Sequence, residues 1–119
     1  KQFGVEEPKE HDDFLTRYIE IVKANISNPE LDVSVIYEAL GMSRTNFYRK
    51  VKTVTGLSPI ELIKNIRLEA GAKLLKESDM NISEIAQHIG FSSRSYFARS
   101  FKAVYGMSPT EYQETKSQD

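Results

Sequence analysis

Two stretches of this chain, fifty residues apart, repeat one another. Met42 to Pro59 reads M-S-R-T-N-F-Y-R-K-V-K-T-V-T-G-L-S-P, and Phe91 to Pro109 reads F-S-S-R-S-Y-F-A-R-S-F-K-A-V-Y-G-M-S-P. Phe47, Arg49, Lys52, Val54, Gly56, Ser58 and Pro59 recur as Phe97, Arg99, Lys102, Val104, Gly106, Ser108 and Pro109. A shared residue order of this length is the mark of an internal duplication, and two copies are too few for a stacked solenoid. One domain with two similar halves is therefore expected. The 119 residues allow a modest core but not two independent ones.

Local signals divide each half into helices, so the expected fold is all-α, with seven helices. Lys1 to His11 lacks apolar periodicity and carries Gly4, Pro8 and several acids, as a linker does. A start at Lys1 rather than a methionine points to a longer parent chain. The remaining residues, 12–119, are expected to form the domain. Asp12 or Asp13 can cap a first helix whose stripe is Phe14, Leu15, Tyr18, Ile19, Val22 and Ile26. Asn28-Pro29 ends it, because the residue before proline is pushed out of the α region. Asp32 caps a short helix over 33–40, Gly41 turns the chain, and Ser43 caps a helix to Thr55: a helix-turn-helix over 32–55.

Gly56 suits a helix C-terminus, and Ser58-Pro59-Ile60-Glu61 is a capping box with proline at the first helical position. The linker helix it opens runs over 59–77, with Ile60, Ile63, Ile66, Ala70 and Leu74 on one side. Leu68 and Leu75 lie on another, so this helix has to be covered from two directions. Asn81 and Glu84 form a further capping pair, and Ile82, Ile85, Ala86 and Ile89 are the buried face before a turn at Gly90. A helix from about Ser93 to Val104 completes a second helix-turn-helix over 81–104. Ser108-Pro109-Thr110-Glu111 starts a short last helix packed through Tyr112, and the polar residues through Asp119 are expected to fray.

With Phe47 and Phe97 at zero on their helical wheels, Val51 and Phe101 lie near 40° and Val54 and Val104 near -20° at about 100° per residue. That is a buried stripe in both copies. Thr45 and Ser95, Arg49 and Arg99, and Lys52 and Lys102 fall on the opposite side, with Tyr48 and Ala98 on its flank. Between Ser43 and Lys52 stand Arg44, Arg49, Lys50 and Lys52 with no acid, and between Ser92 and Lys102 stand Arg94, Arg99 and Lys102 with no acid. Surface helices usually mix charges of both signs. The net charge of -1 hides this arrangement and argues against nonspecific binding by bulk charge. A cationic helix face bearing arginines and hydroxyls suits the DNA major groove. Arginine donates twice to guanine O6 and N7, threonine and serine contact bases, and lysines neutralise phosphates.

The second half carries I-S-E-I-A at 82–86, G-F at 90–91, Y-F-A-R-S-F-K at 96–102 and G-M-S-P at 106–109, and the linker helix carries I-R-L-E-A-G-A-K-L-L at 66–75. With these motifs, residues from about Phe14 to Tyr112 resemble the AraC/XylS-type DNA-binding domain of bacterial transcription regulators. The resemblance implies two helix-turn-helix subdomains joined by a long linker helix, with double-stranded DNA as partner. It carries base contact over to Arg44, Thr45, Tyr48 and Arg49 in the first copy and to Arg94, Ser95, Tyr96 and Arg99 in the second. Ser43, Lys50, Lys52, Ser92 and Lys102 are the candidate phosphate contacts. Val51 stands where many members have phenylalanine, and Gly71 where alanine is frequent. Gly71→Ala is thus expected to raise stability slightly through helix propensity.

The first half, with S-R-T-N-F-Y-R-K-V-K and G-L-S-P-I-E-L-I-K-N-I-R-L, is similar to output domains of hybrid two-component regulators from Bacteroidetes. That likeness implies receiver and sensor domains in a longer parent, with histidine kinase activity there and an anchor in the inner membrane. RNA polymerase and a second copy on DNA are compatible partners.

Other classes fit the residues poorly. Histidine occurs only as His11 and His88, and no catalytic triad order, metal-ligand cluster or glycine-rich phosphate loop is visible, so no enzyme, metal or cofactor is expected. The chain has no cysteine, which fits a cytoplasmic address, and its apolar runs fall short of the ~18 residues of a membrane helix. A helical protein-binding module is the alternative. It would need an exposed apolar groove, whereas the repeated free face here is cationic.

Overall fold

The computed structural model describes residues 9–118, which form α1 (Lys9–Ala24), α2 (Val33–Ala39), α3 (Arg44–Thr55), α4 (Pro59–Glu77), α5 (Ile82–His88), α6 (Arg94–Tyr105) and α7 (Pro109–Glu114), then a 3-10 turn at Thr115–Gln118. There is no strand among the described residues. The linker reading of residues 1–8 lies outside them. Lys9 to His11, also read as linker, is the first turn of α1.

The expected caps close α2 to α7, whereas Asp12 and Asp13, expected to cap the first helix, lie inside α1, which already begins at Lys9. The Ser43 hydroxyl accepts from the Asn46 amide at 3.2 Å and the Ser93 hydroxyl from the Tyr96 amide at 3.0 Å. Ser58 with Glu61, Asn81 with Glu84, and Ser108 with Glu111 exchange reciprocal side chain to backbone bonds of 2.8–3.1 Å. Gly56 and Gly106 end α3 and α6 at φ 77° and 80°, left-handed conformations that cost a residue with a side chain more. The duplication is thus a duplication of geometry: twelve-residue helices between the same serine and the same glycine.

Contacts divide the described residues into two units, those up to residue 25 together with 31–63, and 26–30 together with those from residue 64 onward. In the first, Phe14, Tyr18, Val22, Val33, Ile36, Phe47, Val51, Leu62 and Ile63 are buried. The Tyr18 ring stacks on Phe47 with centroids 5.6 Å apart, and its hydroxyl donates to the Pro59 carbonyl at 2.8 Å. In the second, Leu68, Ala72 and Leu75 of α4 pack with Ile82, Ile85, Ala86 and Ile89 around α5 and with Phe91, Phe97 and Phe101. α4 thus gives Leu62 and Ile63 to the first unit and Leu68, Ala72 and Leu75 to the core of the second, so each unit has its own buried residues where a single modest core was expected.

Several expectations need correction. α1 ends at Ala24, and Ile26 leaves the helix to pack in the second unit's core. Arg67 accounts for this. The residue is 6% exposed, and its guanidinium donates to the carbonyls of Ile26, Asn28 and Ile89 at 2.8 Å each, drawing residues 26–28 out of helical register. Burial lowers its pKa from the ordinary value. Ile60 and Val104, assigned to buried stripes, are 66% and 57% exposed, because each sits in an end turn of its helix where little is stacked above it. Tyr105 covers that flank of α6 instead, stacking on Phe101 at 4.3 Å. The expected frayed tail forms the 3-10 turn, with Lys116 Nζ donating to the Ser78 carbonyl at 2.9 Å.

Gly71 overturns its sequence-based expectation. A Cβ there would lie 2.9 Å from Ile89 Cδ1 and 3.2 and 3.3 Å from the Phe97 ring, all fully buried side chains. Overpacking of this kind typically costs about 1–3 kcal/mol, against a helix-propensity gain of about 1. Gly71→Ala should therefore lower stability, by about 1 kcal/mol net, as a reduced urea midpoint; a raised midpoint would show that Phe97 and Ile89 shift freely.

Tyr18 supplies a pH-dependent check. Burial, with the nearby Tyr48 adding to it, raises its phenol above the ordinary value, so folding favours the neutral form. That contribution is complete below the unfolded phenol pKa of about 10 and is lost as pH rises through the folded value. Tyr18→Phe should cost about 1 kcal/mol at neutral pH through the lost bond to Pro59. It should also flatten the decline in stability above about pH 10, measured by urea unfolding across pH.

Candidate nucleic-acid interface

α3 and α6 each turn one face into a core and leave the other to solvent. On α3, Phe47 and Val51 are buried while Arg44, Thr45, Arg49 and Lys52 are exposed and Tyr48 is half-buried. On α6, Phe97, Ser100 and Phe101 are buried while Arg94, Ser95, Tyr96, Arg99 and Lys102 are exposed. Neither helix contains an acid. Like charges crowded on one face repel, and an anionic partner relieves that repulsion.

The two free faces differ in how their side chains are held. On α3 the Arg44 guanidinium lies over the Tyr48 ring at 4.7 Å, with Nη2 3.5 Å from the hydroxyl, and Arg49 Nη1 donates to Asn46 Oδ1 at 3.3 Å. On α6 the equivalents of Tyr48 and Asn46 are Ala98 and Tyr96, and no such intrahelical bond to Arg94 or Arg99 is found among the described residues.

The candidate phosphate contacts do not all share a setting. Ser43 is the cap of α3 and Lys52 Nζ donates to the Gly56 carbonyl at 3.0 Å, so both stand at helix ends. Lys102 is exposed and close enough to Glu111 to help hold that carboxyl below its usual range, where hydrogen bonds from Ser108 contribute most. Ser92 is exposed, but the residue equivalent to Ser43 by both offset and capping role is Ser93, a site the fifty-residue offset could have revealed. Lys50 is apart from the rest. It is half-buried, with Nζ 5.0 Å from the centre of the Phe14 ring of α1.

Sequence reasoning also missed Lys64. This α4 residue is half-buried with Nζ 5.2 Å from the centre of the Tyr96 ring, and Tyr96 also meets Phe91 at 5.3 Å. No periodicity marks it, because the contact depends on how α4 packs on α6. No group of acids and histidines able to hold a metal occurs among the described residues.

A helix-turn-helix domain family model matches residues 36–115. The chain belongs to the AraC-type helix-turn-helix family. It is similar to the histidine kinase P4 of Formosa agariphila, 36% identical over 104 residues, covering 87% of this chain but 8% of that protein. It is likewise similar to the transcriptional regulator MtrA of Neisseria gonorrhoeae, 34% identical over 100 residues, or 82% of this chain and 33% of the relative. The chain therefore spans a third or less of the length of these two relatives. Among solved structures, the C-terminal domain of the response regulator AraT from Geobacillus stearothermophilus shares 31% identity with a TM-score of 0.74, covering 86% of this chain and 84% of that one. The DNA-binding domain of AdpA, solved in complex with a target DNA, shares 25% identity with a TM-score of 0.77 over 87% of this chain and 94% of that one. The AraC-type fold thus accounts for both helix-turn-helix units.

Lys50 gives a test of this geometry. Lys50→Met should lower stability by about 0.5–1 kcal/mol through the lost cation–π contact, while leaving the salt dependence of DNA binding unchanged. A shallower salt slope at unchanged stability would return Lys50 to the phosphate-contacting set.

Proposed function

We propose that this chain is the sequence-specific, double-stranded DNA-binding output domain of a bacterial transcription regulator, with α3 and α6 each entering a major groove. The observation that carries the reading is the repetition, on two helices with identical caps, of an acid-free exposed face of arginines, hydroxyls and an aromatic. Arg44, Thr45, Tyr48 and Arg49 read bases from α3, and Arg94, Ser95, Tyr96 and Arg99 read bases from α6. Ser43, Lys52, Ser92 and Lys102 meet phosphates, where contacts fix register without reading sequence. Arg94 and Arg99 donate in pairs to guanine without first giving up a partner on their own helix. The arginines of α3 start from a fixed geometry set by Tyr48 and Asn46.

The parent in this reading is a hybrid two-component regulator with sensor and receiver domains upstream and the DNA-binding end in the cytoplasm. The likeness to the Formosa histidine kinase and to a response-regulator C-terminal domain supports it. RNA polymerase and a second copy of the chain are the proposed protein partners on the promoter, with activation as the outcome.

Selection of duplexes from a random pool, followed by mobility shift at two salt concentrations, tests the reading. Arg99→Ala should lose about 1–3 kcal/mol of discrimination at one base position. Lys102→Ala should weaken all sequences alike and lower the salt slope by about one. No enrichment from the pool, or equal loss on selected and random duplexes for Arg99→Ala, would remove the base-reading role and leave a protein-binding helical module.

A further inference from the structure

Both helix-turn-helix turns receive an arginine from outside, but unequally. Exposed Arg17 makes one long bond, Nη2 to the Ala39 carbonyl at 3.4 Å, whereas its equivalent at the second turn, Arg67, is buried and holds three carbonyls. Arg67 Nη1 donates to the Ile89 carbonyl at the C-terminal cap of α5 and to the Ile26 carbonyl, and Nη2 donates to the Asn28 carbonyl, all at 2.8 Å. The Ser27 hydroxyl donates to the His88 carbonyl at 2.8 Å, so residues 26–28 and the end of α5 are joined twice over. Gly90 follows at φ 85°, and a Cβ there would run into the Arg67 guanidinium and the Ile26 carbonyl. The next residue, Phe91, is buried against Phe97 and Tyr96 at ring distances of 5.4 and 5.3 Å. Gly41, the matching turn glycine of the first unit, has open space where a Cβ would stand.

A buried guanidinium whose partners among the described residues are three carbonyls rather than a carboxylate is an expensive arrangement that an apolar contact could replace for stability alone. What a fork of fixed donors supplies is direction, since it holds several acceptors in one plane at set distances. Here those acceptors belong to the segment between α1 and α2 and to the turn that launches α6. Tilting Gly90–Phe91 would move Tyr96 and Phe97 with it, and with them the whole exposed face of α6.

We propose that Arg67 is a positioning residue for DNA recognition: through Ile89 and residues 26–28 it sets the turn that aims α6, and so governs sequence reading by the second half alone. The inference rests on the DNA-binding reading above and adds a residue that touches no DNA. Removing Arg67 should therefore blur one half of the operator and spare the other. A residue that merely supported stability would weaken both halves together, or neither at temperatures well below unfolding.

The test uses a duplex selected with the wild-type chain, scanned base by base with Arg67→Met, Arg67→Lys, Arg49→Ala and Arg99→Ala, each at a temperature where circular dichroism shows full folding. Positions sensitive to Arg99→Ala should lose about tenfold or more of their discrimination in Arg67→Met, while positions sensitive to Arg49→Ala stay within about twofold. Arg67→Lys, which keeps charge and donors but not the fork, should recover part of the loss. Equal losses in both halves, or none in a folded variant, would overturn the proposal. Should Arg67→Met fail to fold, Ser27→Ala, which removes only the bond to the His88 carbonyl, carries the same half-restricted signature at smaller size; a uniform effect there would overturn it equally. Amide hydrogen exchange separates the two levels of failure. Faster exchange at Gly90 and Phe91 in Arg67→Met with no change at Gly41 supports the grip on the turn, even if Arg99→Ala shows that α6 does not read bases. Unchanged exchange at Gly90 and Phe91 overturns the grip itself.

Discussion

A fully buried phenylalanine at the same position of α3 and α6 anchors each helix, and the rest of the site depends on it. Phe47 and Phe97 show no exposed surface, and each is packed by other rings: Phe14, Tyr18 and Tyr37 around Phe47, and Phe91 and Phe101 around Phe97. Burying such a side chain contributes about 1.5–3 kcal/mol and fixes which side of the helix faces inward. The helix has one remaining degree of choice, which is what to place on the other side. Both copies place arginine and hydroxyl residues there and exclude acids.

The two halves then diverge in how that outer face is controlled. On α3 control is local, since Tyr48 and Asn46 hold Arg44 and Arg49 through contacts one turn away. On α6 the outer arginines have no such holders among the described residues, and the contacts lie behind the helix: Phe91 on Phe97, Lys64 beside Tyr96, and the Arg67 fork on the Ile89 carbonyl. The duplication kept an arginine on each turn, since Arg17 donates to the Ala39 carbonyl at the offset of Arg67 and Ile89, but only Arg67 is buried and has three partners. Gly71 belongs to the same contrast, because its missing side chain lets α4 approach Ile89 and Phe97 more closely than an alanine would allow.

Long, capped helices with a strong period were legible before any coordinates. Serine, asparagine and aspartate caps act on neighbours two or three residues away, so they are written in local order, and α3 to α7 begin within a residue of their expected starts. The family resemblance was legible for the same reason, since its motifs are caps, turn glycines and core positions. End-turn exposure was not. Ile60 and Val104 satisfy the angular rule yet face solvent, because a helical wheel says nothing about how far along the axis the covering layer extends.

The sequence by itself determined the helices, their caps, the duplication and the sign of charge on the two outer faces, because each of these follows from residues within a turn or two of one another. Tertiary structure alone decided the three carbonyl contacts of Arg67, the departure of Ile26 from the first helix, the engagement of Lys50 with Phe14 and the crowding that a side chain at Gly71 would meet. Each of those depends on groups about twenty to forty residues apart meeting at hydrogen-bond or van der Waals range. A charged residue on a helix looks alike in sequence whether it faces water, a ring or three carbonyls, and only packing distinguishes them.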